Sequence, residues 1–411
     1  MYYIGIDTGT TSISLAALSD DGELLSTRTV NHGAFLPLPG RVQDPERIKS
    51  LTISALDELT AELGRPSGIG FTGQMHGILY VDASGRAVSP LYTWQDTRGD
   101  DVRSRLGVPS GYGMATHVHL QEAGEIPASA VRLSTMSDYI AEVMCSNREP
   151  VISSEMAAGW GCFDLERKEF TISTPYLPRV VKGYAVVGEY RGVPVVCSMG
   201  DNQASFKGSV RTEAGTLLVN VGTGSQVSLM VEDYLPVSGE VELRPYGEKY
   251  LLVGSALCGG RAYAMLEKFY RELAGHECYS MMEEQAETFL KSGGRAWEVD
   301  TRFMGTRADP AIRGTVRGIS EENFTPPAFT VGVLRGILAE LHGMYTKMTE
   351  LTGRRANSLV CSGNGMRKNG LMRRLAGEMF GLSVELPPNT EEAACGAAMC
   401  AREVLSQRPS M

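Results

Sequence analysis

The chain has 411 residues, of which 43% are hydrophobic and 21% are charged, and its formal net charge is −9. These proportions are ordinary for globular proteins, and the length suffices for two or three domains that each bury a core. The acidic balance, without a strongly basic run, argues against a nucleic-acid-binding surface and suits an enzyme that acts on small molecules.

Three features of the sequence bear on the cellular compartment in which the protein is expected. The eight cysteines are scattered and form no Cys-x-x-Cys pair, which is typical of reduced thiols in a cytoplasm. No charged and apolar leader precedes the first strand, and no apolar run reaches the ~18 residues that cross a bilayer. We therefore expect a cytoplasmic protein without a membrane partner. The six histidines lack metal-binding spacing, so no zinc site is expected.

The chain opens with short apolar strands at residues 2–6 and 12–18, joined by a turn of sequence DTGTT at residues 7–11. A second turn, DDG at residues 20–22, leads into a third strand at residues 23–31. A dinucleotide-binding unit would instead continue from its first strand into a helix. The DTGTT turn presents N–H and hydroxyl groups, so it is either a phosphate-binding turn or an ordinary hairpin turn.

Periodicity and turn signals assign the later elements. Helical periodicity begins at Asp44 and Pro45, which supply an N-cap and a favourable first residue, and continues to residue 64. Further helices are predicted at residues 97–105, 137–145, 256–273, 329–352, 369–380 and 391–404. Further strands are predicted at residues 67–72, 78–81, 91–93, 193–198, 217–221, 226–231 and 358–361. We expect a glycine- and alanine-rich connection at residues 153–164 and a turn at residues 362–365.

The pattern of the first two strands returns in the second half of the chain. Strands at residues 217–221 and 226–231 flank a turn of sequence GTGS at residues 222–225. This weak internal repeat predicts two domains of related fold, and it makes phosphate binding by both turns the favoured interpretation. We expect an N-terminal domain at residues 1–210 and a C-terminal domain at residues 211–411.

The strand at residues 193–198 leads to Asp201, so a carboxylate follows the carboxyl end of a buried strand. An aspartate in this position is more often a helix N-cap, and it can fill both roles. Phosphoryl transfer needs alignment, charge neutralisation and a carboxylate that accepts the hydroxyl proton. We therefore predict Asp201 as a general base beside two phosphate-binding turns, with Asp7 holding Mg²⁺ through water. The predicted boundary places this site at an interdomain cleft.

Two polar segments follow strands of the first half: QMHG at residues 74–77 and WQDTR at residues 94–98. Together they offer amide, imidazole, indole, carboxylate and guanidinium groups, and this mixture suits the hydroxyls and the C–H face of a sugar. The predicted sugar-binding residues are Gln74, Met75, His76, Trp94, Asp96, Arg98 and Asn202. His76 is equally compatible with a structural role.

The GNG turn at residues 363–365, with Asn369, is either a helix entry or a surface for a flat base.

Five motifs, in this order along the chain, resemble those of the FGGY carbohydrate kinases within the actin-like ATPase superfamily. They are DTGTT at residues 7–11, GDNQA at residues 200–204, residues 218–225, residues 362–369 and NTEEAACGAA at residues 389–398. The resemblance runs from residue 4 to residue 401. It implies an α/β fold of two actin-like (ribonuclease-H-like) domains, with mixed sheets around an interdomain catalytic cleft.

The resemblance also implies ATP and Mg²⁺ as ligands, and it assigns roles to the matching positions. Asp201 is the implied base, and Asp7 and Asp201 are the implied metal-side carboxylates. The implied ATP-binding residues are Gly9, Thr10, Thr11, Gly222, Thr223, Gly224, Gly365, Met366 and Asn369, of which the last three lie at the adenosine end.

Several segments are similar to the sedoheptulokinase branch of the family: residues 73–77, 93–98, 157–161, 200–205 and 254–260. Met75 and His76 resemble xylulokinases as well, whereas glycerol kinases carry an arginine and an acid there. The expected reaction is therefore phosphorylation of a terminal hydroxyl of a ketose, first sedoheptulose to sedoheptulose 7-phosphate, then xylulose or another sugar or polyol. A homodimer is the candidate assembly. The chain is short for the family, mainly between about residues 230 and 330.

Two other classes of function remain open at this point. An actin-like fold also serves as a nucleotide-dependent switch without sugar turnover, and such a switch would not need the segments at residues 74–77 and 94–98. A kinase homologue that binds sugar without turnover is the other alternative, and the intact Asp7 and Asp201 argue against it.

Overall fold

The structure is a computed structural model, and it describes residues 1–147, 149–306 and 309–407. The chain divides into two compact units. The first contains Met1–Arg211, Arg244–Tyr250 and the chain from Asn389 onward, and the second contains Thr212–Leu243 and Leu251–Pro388. The break after Arg211 lies one residue from the predicted boundary, but the two later segments of the first unit were expected in the second domain. The predicted end of that domain, residues 408–411, lies outside the described residues.

Short strands alternate with helices up to residue 211. The strands are β1 (Tyr2–Thr8), β2 (Ser12–Ser19), β3 (Leu24–Asn31), β4 (Val42–Gln43), β5 (Gly68–Gly73), β6 (Leu79–Asp82), β7 (Leu91–Tyr92), β8 (Ala130–Ser134), β9 (Val151–Ser153), β10 (Phe163–Asp164), β11 (Glu169–Phe170), β12 (Arg179–Val181), β13 (Val186–Tyr190), β14 (Val193–Val196) and β15 (Met199–Gly200). The helices are α1 (Pro45–Leu63), α2 (Arg103–Leu106), α3 (Gly113–Ala123), α4 (Met136–Cys145), α5 (Ser154–Gly159) and α6 (Asp201–Ser209), with a 3₁₀ turn at Arg98–Asp101.

Helices are longer after residue 211. The strands there are β16 (Thr216–Val221), β17 (Ser225–Val231), β18 (Val241–Tyr246), β19 (Lys249–Ala256), β20 (Glu298–Val299), β21 (Val316–Arg317), β22 (Ser358–Ser362) and β23 (Val384–Glu385). The helices are α7 (Gly260–Ala274), α8 (Tyr279–Lys291), α9 (Pro326–Thr352), α10 (Gly363–Lys368), α11 (Gly370–Phe380) and α12 (Glu392–Ser406), with a 3₁₀ turn at Glu321–Asn323. Within the described residues, no helix combines the length and the apolar character that crossing a membrane requires.

The main sheet of the first unit has the strand order β13-β14-β5-β1-β2-β3, and β15 pairs with the end of β5. β1 runs antiparallel to β2 and parallel to β5, while β15 runs parallel to β5. In this register Gly73 lies opposite both Thr8 and Gly200. The carboxyl ends of β1, β5 and β15 therefore meet at one edge of the sheet, where α/β proteins commonly place ligands.

Helix α1 covers this sheet as its sequence predicts. Asp44 accepts hydrogen bonds from the N–H groups of Glu46 and Arg47 at 2.9 and 3.2 Å, which confirms it as the N-cap. Gly64 follows the last helical residue with φ of 84°, a conformation that favours glycine. The apolar face of the helix, including Ile48, is fully buried in the core.

Helix α12 joins the first unit because its small residues allow backbones to approach closely. A Cβ atom added to Gly5 of β1 would lie 1.8 Å from the carbonyl oxygen of Ala394. A Cβ atom on Gly396 of α12 itself would lie 2.0 Å from the carbonyl oxygen of Ala204 in α6. The alanine-rich helix therefore fits against β1 and α6 only where glycine leaves room, which explains why the final segment belongs to this unit.

The main sheet of the second unit has the order β18-β19-β17-β16-β22-β23. β16 runs antiparallel to β17 and parallel to β22, which repeats the arrangement of β1 with β2 and β5. The internal repeat predicted from the sequence is therefore present as the same three-strand arrangement in each unit.

The structure also corrects several element predictions. The expected connection at residues 153–164 contains α5, which Ser153 caps by accepting a hydrogen bond from the N–H of Met156 at 3.3 Å. In place of a separate turn at residues 362–365, Ser362 ends β22 and α10 begins at Gly363, which confirms the helix-entry interpretation of the GNG segment. The expected helix at residues 97–105 is divided between a 3₁₀ turn and α2, and helices α3 and α8 were not predicted.

Candidate functional site

Asp201 is the first residue of α6, directly after β15. Gly200 occupies the N-cap position, so Asp201 is not the cap, and its Oδ1 accepts a hydrogen bond from the N–H of Asn202 at 2.6 Å. Burial raises the pKa of the Asp201 carboxyl above its usual range, and the nearby charge of Arg244 partly opposes this rise. The side chain is thus a desolvated acid with Arg244 as a cationic neighbour, and a raised pKa suits a group that accepts a proton.

Asp7 lies in β1 at the same sheet edge. Burial raises the pKa of its carboxyl to about 7, and the charges of Asp201 and Glu391 add to the rise. Within the described residues, the buried Oδ1 atom of Asp7 has no hydrogen-bond partner. An unpartnered carboxylate oxygen beside a second carboxylate is suited to a cation.

Magnesium fits this pair of acids, because it is commonly held by one or two carboxylates, together with phosphate oxygens and waters. In the described parts of the chain, no group of three or more His, Cys, Asp or Glu side chains is arranged for a metal ion. A magnesium ion at this edge would therefore depend on Asp7 and Asp201 and on ligands that arrive with the substrate.

The first glycine–threonine turn follows β1, and its carbonyl groups are tied back to the protein. A ring N–H of His32 donates to the carbonyl oxygen of Gly9 at 3.3 Å, and the Gln43 amide donates to that of Thr10 at 2.7 Å. The backbone N–H of His32 donates to the carbonyl oxygen of Thr11 at 3.2 Å. An approaching anion therefore meets the N–H side of this turn, as a phosphate requires. Sequence reasoning identified the turn but neither of its supports.

Three of the predicted sugar-binding side chains lie on segments that surround this edge. Gln74 follows β5, is 3% exposed, and donates to the side-chain oxygen of Gln43 at 3.0 Å. The Nδ1 atom of His76 lies 2.6 Å from the carbonyl oxygen of Gly159, and its ring stacks on Tyr112 at 4.2 Å. Trp94 is 47% exposed, and its indole N–H donates to the Thr10 hydroxyl at 3.0 Å.

The other predicted sugar-binding residues are more occupied with the protein. Both carboxylate oxygens of Asp96 accept hydrogen bonds from Arg98, at 3.0 and 2.9 Å, and this arginine also stacks over Tyr92. Met75 packs in a buried apolar cluster. Asn202 is buried and directly follows Asp201. Direct sugar contacts by these four side chains stay predictions.

The second glycine–threonine turn follows β16 in the second unit. The backbone N–H of Gly260 donates to the carbonyl oxygen of Gly222 at 2.8 Å, and that of Arg261 donates to Thr223 at 3.1 Å. A Cβ atom on Gly260 would lie only 2.5 Å from the oxygen of Gly222. A Cβ atom on Gly224 would lie 2.9 Å from the carbonyl oxygen of Ala256. The start of α7 therefore holds Gly222 and Thr223 through backbone N–H groups, and Ala256 of β19 lies close to Gly224.

The predicted adenosine-side residues lie next to this turn in the second unit. Gly365 and Met366 belong to α10, and a Cβ atom on Gly365 would lie 2.8 Å from a methyl group of Val221. Met366 is fully buried. Asn369 caps α11, since its Oδ1 accepts a hydrogen bond from the N–H of Met372 at 2.7 Å. These residues thus have structural roles, and their contact with a base stays a prediction.

Sequence reasoning missed two charged residues that surround Asp201. Arg244, on β18, is 9% exposed and is the cation that opposes the rise in the pKa of Asp201. Glu155, on α5, is fully buried and accepts hydrogen bonds from the N–H of Gly200 at 2.8 Å and of Gly247 at 2.9 Å. No local sequence motif identifies either residue. Arg244 lies 43 residues after Asp201, and Glu155 lies 45 residues before Gly200.

The chain matches two family models. The model described as the N-terminal domain of the FGGY family of carbohydrate kinases matches residues 2–112, and the model for the C-terminal domain matches residues 217–402.

Individual proteins match over nearly the whole chain. Sedoheptulokinase of Mus musculus is 27% identical, with 98% of each chain covered. Xylulose kinase of Lactococcus lactis is 25% identical, with 97% of this chain and 88% of the other covered. The crystal structure of xylulose kinase from Rhodospirillum rubrum superposes with a TM-score of 0.87 at 18% identity, covering 100% of this chain and 91% of that one. The structural match confirms the predicted α/β fold of two actin-like domains.

Proposed function

The chain belongs to the FGGY family of carbohydrate kinases, and from this premise we propose that it transfers the γ-phosphoryl group of ATP to a terminal hydroxyl of a ketose. The observation that carries the proposal is the meeting of Asp7, Gln74 and Asp201 at the carboxyl ends of β1, β5 and β15. A carboxylate base, a second carboxylate and a buried amide at one sheet edge are the groups that this transfer uses.

Asp201 acts as the general base in this proposal. Its raised pKa makes the carboxylate a stronger proton acceptor than an exposed aspartate, and the charge of Arg244 favours the ionised form that the reaction needs. Glu155 supports the geometry, since it holds the N–H of Gly200 directly before the base. The proton moves from the sugar hydroxyl to Asp201 as the hydroxyl oxygen attacks the phosphoryl group.

Asp7 and Asp201 are the residues that would hold Mg²⁺. Their fit rests on the unpartnered Oδ1 of Asp7, within the described chain, and on the mutual repulsion that raises its pKa. When bound, the ion would neutralise charge on the phosphates. Without it, the two acids repel each other.

The two glycine–threonine turns supply the phosphate sites in this proposal. The N–H groups of Gly9, Thr10 and Thr11 and those of Gly222–Gly224 are the donors that the tied-back carbonyl groups leave for an anion. In the second unit, Gly365, Met366 and Asn369 would line the adenosine end, supported by the short distance from Gly365 to Val221 beside the turn.

Sedoheptulose is the substrate that we propose first, and xylulose is the second. Gln74, His76 and Trp94 offer an amide, an imidazole and a half-exposed indole, which suit hydroxyl groups and a C–H face. The relatives named sedoheptulokinase and xylulose kinase support both sugars. All eight cysteines lie within the described residues as free thiols, which supports a cytoplasmic setting.

The test is ADP release from Mg-ATP by the purified protein, with sedoheptulose, xylulose, ribulose, fructose, glycerol or no sugar. The expected result is release that depends on a ketose and is fastest with sedoheptulose. A preference for another sugar would keep the reaction and replace the substrate. Release that ignores every sugar would contradict the kinase proposal and favour a nucleotide-dependent switch.

The variant Asp201→Ala is the matched control for this assay. We expect it to lose at least about 1000-fold in sugar-dependent ADP release, because general base catalysis contributes about 10²–10⁴-fold and alignment is lost as well. Sugar binding, measured by calorimetry, should survive. Near-normal turnover in this variant would remove Asp201 from the role of base.

A further inference from the structure

Two buried glutamines connect the first phosphate turn to the sugar-binding segment. The side-chain amide of Gln43 donates to the carbonyl oxygen of Thr10 at 2.7 Å, and its oxygen accepts a hydrogen bond from the amide of Gln74 at 3.0 Å. Gln43 is fully buried and Gln74 is 3% exposed. The backbone of Gln43 is itself fixed, because β4 pairs with β7 with Gln43 opposite Leu91.

The chain of hydrogen bonds determines which way each amide faces. A backbone carbonyl only accepts, so the NH₂ group of Gln43 must face Thr10 and its oxygen must face Gln74. Gln74 then directs its own NH₂ group toward Gln43, which leaves its Oε1 atom at the end of the chain. An amide orientation is normally an assignment, but here the fixed carbonyl of Thr10 determines both.

The Oε1 atom of Gln74 is buried, and among the described residues it has no hydrogen-bond partner. Leaving such a buried acceptor unpaired is unfavourable, so a donor that pairs with it binds favourably. Gln74 directly follows Gly73, and Gly73 lies opposite Gly200, the residue before Asp201. The unpaired acceptor therefore lies on the segment next to the base, where a substrate hydroxyl would supply the missing donor.

We propose that Gln43 is a positioning residue that fixes Gln74 Oε1 as a hydrogen-bond acceptor for a substrate hydroxyl and ties this contact to the phosphate turn at Thr10. The inference rests on the proposed sugar kinase function and adds the polarity of one sugar contact to it. Gln43 does not touch the sugar. It acts through Gln74 on the sugar and through Thr10 on the nucleotide phosphates.

The test is a double-mutant cycle of Gln43→Met and Gln74→Met, with KM for sedoheptulose and for ATP measured in each variant. Methionine keeps the length of the side chain and removes both hydrogen-bonding groups. In the wild-type background, Gln43→Met should raise KM for the sugar about tenfold, because Gln74 is then free to present its NH₂ group instead. In the Gln74→Met background, Gln43→Met should change KM for the sugar less than twofold. The effect of Gln43→Met on KM for ATP should be the same in both backgrounds.

The double variant keeps the test usable, because replacing both hydrogen-bonding partners by apolar groups of similar shape is tolerated better than replacing one. Gln121→Met is the control for this substitution, since Gln121 is an exposed residue of α3 and does not belong to the chain of amides. If the factors by which the two substitutions raise KM for the sugar simply multiply in the double variant, Gln43 does not act through Gln74 and the proposal is wrong. Wild-type protein without sugar-dependent ADP release would instead overturn the proposed function, and this inference with it.

Discussion

The two glycine–threonine turns follow equivalent strands but are supported by different kinds of group. Side chains of His32 and Gln43 hold the carbonyl groups of Gly9 and Thr10, and the backbone N–H of His32 holds that of Thr11. Backbone N–H groups of Gly260 and Arg261, at the start of α7, hold the carbonyl groups of Gly222 and Thr223. A backbone support has one arrangement, whereas a side-chain support can respond to what binds beside it. The first turn is therefore the one whose support depends on side-chain conformation.

A second difference lies two residues before each turn. Asp7 in β1 corresponds to Asn220 in β16, and the neighbouring parallel strands place Thr72 and Ser362 opposite them. The amide of Asn220 donates to the hydroxyl of Ser362 at 2.7 Å, so it is satisfied inside its own unit. Asp7 has an unpartnered oxygen, among the described residues, and a raised pKa. Equivalent positions of the repeated fold therefore differ in polar pairing: the side chain of Asn220 is hydrogen-bonded, and one oxygen of Asp7, within the described chain, is not.

The largest expected effect comes from exchanging these two residues. Asp7→Asn should lower kcat roughly 100-fold, about 2.7 kcal/mol, because a metal-side carboxylate is lost while the size of the side chain is kept. Asn220→Asp should cost less than about tenfold, because Ser362 can then donate its hydroxyl to the new carboxylate. The measurement is kcat at several Mg²⁺ concentrations. Equal losses in both variants would show that the two positions are functionally alike.

The next effect is on stability and concerns the same acid. The folded protein raises the pKa of Asp7 from 3.8 to about 7, so it binds a proton there more tightly than the unfolded chain does. Wild-type stability therefore falls as pH rises through this window, and Asn at position 7 removes that dependence. Without Mg²⁺, the stability advantage of Asp7→Asn should grow by roughly 2.5 kcal/mol between pH 5 and pH 8.

Urea unfolding in the presence of a chelator measures this advantage at each pH. Asn220→Asp is the control in the second unit, and its effect on stability gives the cost of an acid at the equivalent position. An advantage of Asp7→Asn that is the same at pH 5 and pH 8 would contradict the raised pKa.

A smaller effect is expected from crowding the backbone support of the second turn. In Gly260→Ala, the new Cβ atom would lie 2.5 Å from the carbonyl oxygen of Gly222, so the turn must shift. We expect stability to fall by about 1–3 kcal/mol and KM for ATP to rise about tenfold. Gly343→Ala in α9 is the control, because that position has no heavy atom within 4 Å among the described residues. Similar values of KM for ATP in both variants would show that the start of α7 does not hold the turn at residues 222–224 rigidly.

Local signals explain what the sequence revealed about this architecture. The strand–turn–strand pattern at residues 2–18 and 217–231 predicts the repeat. Asp44 followed by Pro45 predicts the start of α1. Such patterns act within a few residues of themselves, so they appear in the sequence directly. The alanine- and glycine-rich composition of residues 153–164 predicts a connection, whereas the Ser153 cap stabilises α5 there.

The supports of the site were not predictable in the same way. Gln43 reaches Thr10 across 33 residues, and Glu155 reaches Gly200 across 45 residues. Only the folded sheet brings these pairs together, and a lone glutamine or glutamate carries no local mark of such a role. The return of α12 to the first unit is a similar case, since glycines at positions as distant as Gly5 create the space for it.

The smallest expected effect concerns Trp94, whose indole contacts the side chain of Thr10 in the first turn. Trp94→Phe keeps an aromatic ring and removes the N–H that donates to the Thr10 hydroxyl. One hydrogen bond contributes about 1 kcal/mol, so KM for ATP should rise about fivefold. Trp297→Phe is the control in the second unit, where the same N–H donates to the carbonyl oxygen of Asn323 at 2.8 Å.

The pair of tryptophan variants separates support of the turn from general stability. Both lose one indole hydrogen bond of similar length, at 3.0 and 2.8 Å, so both should lose a similar amount of stability. Only Trp94→Phe should change KM for ATP, because only Trp94 contacts a residue of the phosphate turn. If Trp297→Phe changed KM for ATP equally, side-chain support would not distinguish the first turn from the second. A change confined to Trp94→Phe would show that side chains beside the sugar site reach the nucleotide through Thr10.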